Sequence, residues 1–140
     1  MIKPALVLAA LSLGAPAAAQ SGAGASPPAA TARVALVTGS TDGLGREVAR
    51  RLAAEGAHVI IHGRNVERGT AVVAEIASGG KGSARFYQAD LSSLAEVRRL
   101  ASEIRRDYPR LDVLVNNAGV ITQERTLSRD RPVSSNGSNA

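Results

Sequence analysis

V-A-L-V-T-G-S-T-D-G-L-G-R-E-V-A, residues 34–49, decides how this chain folds. The apolar run Val34–Val37 enters a loop holding Gly39, Gly43 and Gly45, and the loop runs straight into a helical pattern. A short apolar run followed by glycine reads as a buried strand, here Val34–Thr38. Leu44, Val48 and Leu52 then recur at four-residue spacing, with Ala49 and Ala53 beside them. That is one face of a helix from Gly43 to Glu55, ended by Gly56. Strand, glycine loop and helix together suit a phosphate. Glycines expose amides without bulk, and the first helical turn adds unpaired N–H groups at the positive end of the helix dipole. Gly39 is expected to turn the chain off the strand, Gly43 to admit a diphosphate to the backbone, and Gly45 to let helix and strand pack closely. The whole loop, Thr38, Gly39, Ser40, Thr41, Asp42, Gly43, Leu44 and Gly45, is assigned to a dinucleotide on this reading.

The pattern repeats downstream. Ala57–His62 reads as a second strand, and Asn65 caps a second helix running to about Ser78, with Val72 and Ile76 inward. Gly79–Gly82 is a turn and Ala84–Ala89 a third strand. Ser93 and Glu96 fit a capping box, in which each side chain satisfies the other's amide. Leu94, Val97, Ala101 and Ile104 form the expected buried stripe of the third helix, which Pro109 stops, and Leu111–Val115 is a fourth strand. Nearly continuous apolar strands between amphipathic helices indicate a parallel sheet covered on both faces. The fold class is α/β: a partial Rossmann-type doubly wound parallel sheet, β-α-β-α-β-α-β, strand order 3-2-1-4, truncated after the fourth strand.

Composition narrows the classes. In 140 residues there is no cysteine, which excludes disulfides and thiolate metal sites. Aromatics are Phe86, Tyr87 and Tyr108 only, so the core is aliphatic. The net charge of +5 comes almost entirely from arginine, as Lys3 and Lys81 are the only lysines. Arg98, Arg99, Arg105 and Arg106 lie in a helical pattern with no stacking aromatics among them, which fits solvated helix faces and no nucleic-acid partner.

Residues 1–19 have the layout of a signal peptide: Lys3, an apolar stretch Ala5–Leu13, and Ala17-Ala18-Ala19 before Gln20. The apolar stretch is too short for a membrane span. Export to a compartment such as the periplasm is the first reading, and a mis-assigned start on a cytoplasmic protein is the second. Residues 20–32 read as a flexible linker, 33–120 as a dinucleotide-binding half-domain, and 121–140 as an irregular tail.

T-G-S-T-D-G-L-G at 38–45, D-L at 90–91 and N-N-A-G at 116–119 occur in this order and resemble the motifs of the classical short-chain dehydrogenase/reductases. A-R-R-L-A-A-E-G-A and L-D-V-L-V-N-N-A-G-V resemble the retinol-dehydrogenase-like members most. The resemblance covers Arg33–Val120, that family's cofactor-binding half. It implies an NAD(P)-dependent oxidoreductase that moves hydride between nicotinamide and an alcohol or carbonyl carbon. It implies that Asp90 bonds the adenine amino group, with Leu91 flanking the ring. It implies that Asn116 ties the fourth strand to its neighbours near the ribose, and that Ala118 and Gly119 pass under the cofactor. Asp90 as a plain turn cap stays open beside this.

An NAD site has a carboxylate at the end of the second strand for the ribose 2′-OH. Here that end reads Ile61-His62-Gly63-Arg64, with no carboxylate. A guanidinium suits a 2′-phosphate, so Arg64 points to NADP; His62 is close enough to assist, with a plain strand-end residue as the leading alternative for it. A surface arginine is the plainer alternative.

The resemblance also implies a Tyr-x-x-x-Lys proton relay. Leu91 stands four after Tyr87 and Asp112 four after Tyr108, and no lysine follows Lys81. No catalytic residue is therefore assigned. A premature stop, a frameshift near Asp130 or a split gene would each give this pattern. A non-catalytic nucleotide-binding module or a gene remnant are the alternatives to a broken oxidoreductase. An unpaired fourth-strand edge is expected to favour self-association.

Overall fold

Four parallel strands alternate with three helices in the computed structural model, which describes residues 28–119 and residue 130. The expectations for the leader at 1–19, most of the linker and nearly all of the tail fall outside the described residues. The elements are β1 (Val34–Val37), α1 (Gly43–Ala54), β2 (His58–Gly63), α2 (Val66–Ser78), β3 (Ser83–Gln88), α3 (Leu94–Asp107) and β4 (Val113–Val115). The sheet order is β3-β2-β1-β4, as the alternation of apolar runs and amphipathic helices requires. Val34 pairs with His58, Ala35 with Val113, and Ile61 with Phe86.

Both faces of the sheet are covered, which is why β1 is apolar throughout and β2 carries Val59, Ile60 and Ile61 in succession. Helices α1 and α2 bury Val37, Val59, Ile61, Ala84 and Phe86 on one face. Helix α3 buries Val34, Leu36, Ile60 and Tyr87 on the other. Ile60 and Ile61 are wholly buried on opposite faces, each worth about 1.5–3 kcal/mol of transfer free energy.

The helix faces differ from the sequence expectation. Leu44 is 72 % exposed, and α1 meets the sheet through Gly45, Ala49 and Ala53, with Val48 and Leu52 half-buried. This row lies one position on from the leucine row. Its short side chains let the helix axis approach the sheet. In α3, Leu94 and Ala101 are exposed and Val97 is half-buried, while Leu100 and Ile104 carry the contact. Tyr108 continues that i, i+4 row and packs edge-on against Tyr87, which fixes the rotation of the helix.

The capping box forms by half. Ser93 Oγ accepts the Glu96 amide at 3.5 Å, but the Glu96 carboxylate accepts the Asp90 amide at 2.9 Å. The turn at Asp90 already satisfies the Ser93 amide through its own carbonyl, so the carboxylate takes the next donor upstream. Strand β4 is shorter than expected. The Asp112 amide donates to the Val34 carbonyl, while its carboxylate accepts the Val34 amide at 2.8 Å. Leu111 and Leu114 are exposed beside it, and β4 is an edge among the described residues.

At the N-terminal end of β2, His58 is buried between Ser83 and Tyr108. Its Nδ1 lies 2.7 Å from Ser83 Oγ and its Nε2 2.8 Å from the Tyr108 hydroxyl. Among the described residues no buried side-chain nitrogen or oxygen lacks a partner. No helix among them is long and apolar enough to cross a membrane.

Candidate functional site

Strand order reverses at β1, which has β2 on one side and β4 on the other. In open parallel sheets the crevice beyond the strand ends at such a reversal is where ligands bind. A cleft of about 380 Å³ opens there. Its wall is Gly39, Thr41 and Asp42 after β1, His62, Gly63 and Arg64 at the end of β2, Ala89–Ser92 after β3, and Asn117–Gly119 after β4. Two further concavities, about 370 and 550 Å³, lie between the C-terminal ends of α1 and α2 and beside β4. Volume does not choose among the three; the convergence of four strand ends does.

Three separate stretches of sequence are interlocked at this cleft. The Thr38 hydroxyl donates to the Val115 carbonyl at 3.3 Å and accepts the amides of Asn117 and Ala118, each at 3.0 Å. Asn117 Nδ2 donates back to the carbonyls of Thr38 and Gly39, both at 3.1 Å. Ser40 Oγ donates to the Val37 carbonyl at 2.8 Å and accepts the His62 amide at 3.0 Å. Thr38 and Ser40 are thus engaged in holding the loop to the sheet, and neither side chain lines the cleft.

Asn116 was expected to tie β4 to its neighbours near the ribose; the side chain that ties the end of β4 to the loop is that of Asn117. Asn116 is exposed and outside the cleft wall. The sequence offered two adjacent asparagines beyond the end of a strand, where period-two alternation no longer says which one turns inward. Arg68 was also missed. It pairs with Asp42 at 2.9 Å, placing a cation beside the carboxylate at the loop. Both groups are well exposed, so the pair is worth about 0–1 kcal/mol.

Gly39 turns off β1 at φ 64, and a Cβ there would lie 2.9 Å from the Ala118 Cα. Gly45 meets the Gly39 carbonyl and Asn117 Nδ2 so closely that a Cβ would overlap both. The expected close packing at Gly45 is therefore against the loop and Asn117. Around Gly43 there is open space.

Asp42 caps α1, its carboxylate accepting the Gly43 amide at 2.8 Å, and it also lines the cleft. The start of α1 is consequently at the cleft. The amides of Thr41, Asp42, Leu44 and Gly45 have no acceptor among the described residues. A row of open amides at a helix N-terminus, without side-chain bulk at Gly43, fits the diphosphate of a dinucleotide.

On the far wall, Asp90 Oδ1 accepts the Ser92 amide at 3.0 Å, so Asp90 does shape the turn after β3 while facing the cleft. Leu91 is partly exposed beside it. Arg64 is exposed, and no carboxylate among the described residues pairs with its guanidinium. His62 is buried, and burial holds its imidazole below the ordinary histidine range, partly offset by the Ala89 carbonyl.

The short chain dehydrogenase family model matches residues 33–134. A 3beta-hydroxysteroid dehydrogenase of Mediterraneibacter gnavus is 49 % identical over 96 residues, 68 % of this chain and 34 % of that protein. A polyprenol dehydrogenase of Mus musculus is 43 % identical over 104 residues, 74 % of this chain and 31 % of its own length. Among solved structures, a metagenomic short-chain oxidoreductase in complex with NADP matches with TM-score 0.61 and 42 % identity. That match covers 63 % of this chain and 39 % of the other. The chain spans about a third of the length of the curated relatives it matches.

Proposed function

Because the chain belongs to the short chain dehydrogenase family, we propose that its cleft binds NADP and that these residues are the cofactor-holding part of an oxidoreductase acting on an alcohol or a carbonyl compound. The observation that carries this is the set of open amides of Thr41, Asp42, Leu44 and Gly45 at the point where strand order reverses. These amides and the dipole of α1 would hold the diphosphate. Asp90 and Leu91 would face the adenine, Arg64 the 2′-phosphate, and Ala118 and Gly119 the part of the cofactor over β4. NADP, when bound, supplies or accepts the hydride; the residues of this chain bind and orient it.

The preference for NADP over NAD rests on Arg64, whose planar donor fork matches phosphate oxygens and which has no carboxylate partner among the described residues. No Tyr-x-x-x-Lys pair occurs in the 140 residues, which supports the reading that they hold the cofactor without supplying the proton relay. General acid–base catalysis alone contributes roughly 10²–10⁴-fold. The 140-residue chain is accordingly proposed to bind cofactor without turning it over.

Calorimetric titration with NADP and NAD tests both statements. Arg64→Ala is expected to weaken NADP roughly tenfold to a hundredfold, the range for charge-assisted hydrogen bonds. NAD affinity is expected to stay within about twofold, as it has no 2′-phosphate to lose. Equal weakening of the two cofactors would contradict the assignment of Arg64. Steady reduction of NADP with an alcohol by the same purified chain would contradict the placement of the proton relay.

A further inference from the structure

His62 stands apart from the other cleft residues because both of its ring nitrogens meet backbone groups from different strand ends. Nε2 lies 3.2 Å from the Ala89 carbonyl, at the end of β3. A carbonyl only accepts, so Nε2 carries the proton. Nδ1 is then unprotonated, and it accepts the Gly39 amide at 3.2 Å. Gly39 opens the glycine loop, and Ala89 precedes Asp90 on the opposite wall. The ring is 2 % exposed, its backbone amide is held by Ser40 Oγ, and its backbone carbonyl accepts the Ser40 amide at 2.9 Å.

We propose that His62 is a positioning residue for the dinucleotide, a neutral imidazole strut that sets the spacing between the glycine loop and the strand-three wall by accepting from Gly39 and donating to Ala89. This rests on the reading that the cleft takes NADP. Among the described residues, His62 is a side chain seen to contact both segments. Asn117 ties the loop to β4, on the opposite side of β1.

A charged imidazolium donates from both nitrogens, so protonation at Nδ1 would turn the acceptor of Gly39 into a donor facing its N–H. Cofactor affinity should therefore fall in acid. The charged side chains that line the cleft with His62 are Asp42, Arg64 and Asp90, and Arg68 pairs with Asp42. The ring's observed hydrogen-bond partners are the Gly39 amide and the Ala89 carbonyl. Burial opposes protonation, which puts the transition on the acid side of the ordinary histidine range.

The test is NADP affinity between pH 8 and pH 5 for wild type, His62→Leu and His62→Asn, with circular dichroism confirming the fold at each pH. Leucine removes the acceptor of the Gly39 amide and is expected to weaken NADP roughly tenfold at pH 8. Asparagine keeps an acceptor near the Nδ1 position and is expected to restore most of that loss. The 2′-phosphate of NADP gains a proton near pH 6, but this is common to all three proteins. The wild type should lose more affinity than the asparagine variant as pH falls. Wild-type affinity in a folded leucine variant, or parallel pH profiles for wild type and asparagine, overturns the proposal alone. No NADP binding by wild type at any pH overturns the cofactor reading and this one with it. If both variants unfold, ring ¹⁵N spectra of the wild type decide. An Nε2–H tautomer with a Gly39 amide that shifts as the ring titrates supports the strut, and an Nδ1–H tautomer overturns it.

Discussion

Gly45→Ala is expected to lower NADP affinity by more than about a hundredfold while leaving a folded, less stable protein. A Cβ at Gly45 would overlap the Gly39 carbonyl oxygen and Asn117 Nδ2. Neither is the loose end of a flexible side chain. The carbonyl is backbone, and Asn117 is held by bonds to Thr38 and Gly39. The added methyl must push α1 back from the loop or open the clasp between Thr38, Gly39 and Asn117. Overpacking of this kind costs about 1–3 kcal/mol. The larger effect falls on binding, because the amides of Leu44 and Gly45 move with the helix start and several contacts are misplaced together. Urea unfolding and calorimetry on the same sample separate the two effects. A folded variant with wild-type NADP affinity would show that the start of α1 does not hold the diphosphate.

Acidification from about pH 6.5 to about pH 4 is expected to cost the fold on the order of 3 kcal/mol through His58. Burial, with a smaller contribution from the nearby Arg85 cation, lowers this imidazole from 6.5 to about 4. Its partners Ser83 Oγ and the Tyr108 hydroxyl can each donate or accept, so they satisfy the neutral ring fully. The unfolded chain takes up the proton near the ordinary histidine value of roughly 6.5. Between the two values the unfolded state binds more protons, so stability rises with pH. The contribution of His58 is complete above about 6.5 and is lost progressively down to about 4. His62, also lowered by burial, adds to the loss with the same sign. Urea midpoints at pH 7.5, 5.5 and 4.5 measure the trend, and His58→Gln should flatten most of it. A midpoint constant across that range would contradict the burial of a neutral His58.

Much of this fold was legible in the residues because its signals were local. Apolar runs bounded by glycine gave the strands. Asn65 caps α2 as its position before the helical pattern implied, accepting the Arg68 amide at 2.9 Å. Alternation with helices then left few topologies, and the order 3-2-1-4 is the observed one. Helix rotation was less legible. Leu44 and Leu94 lie on the expected stripes, yet the sheet is met by Gly45, Ala49 and Ala53 in α1 and by Leu100 and Ile104 in α3. Periodicity fixes the width of an apolar face, and packing of small residues fixes its centre.

The glycine loop itself was legible as the turn from β1 into α1 at the cleft, but the division of labour inside it was not. Ser40 and Thr38 look like phosphate donors by type, and they hold strands together instead. Asn117 and His62 make contacts between residues far apart in sequence, at separations that no local pattern reports. Arg64 lines the cleft at the end of β2, the place that its sequence position indicated.

The amides of Thr41, Asp42, Leu44 and Gly45 are proposed to receive the diphosphate of NADP. Backbone ¹H–¹⁵N spectra recorded as NADPH is added test it most directly. The largest shifts are expected at residues 41–45, with smaller ones at 39–40, 62–64, 89–91 and 117–119. Shifts centred on the groove at Arg50 and Lys81 or on the apolar groove at Leu111 and Leu114, with the glycine-loop amides unmoved, would contradict it.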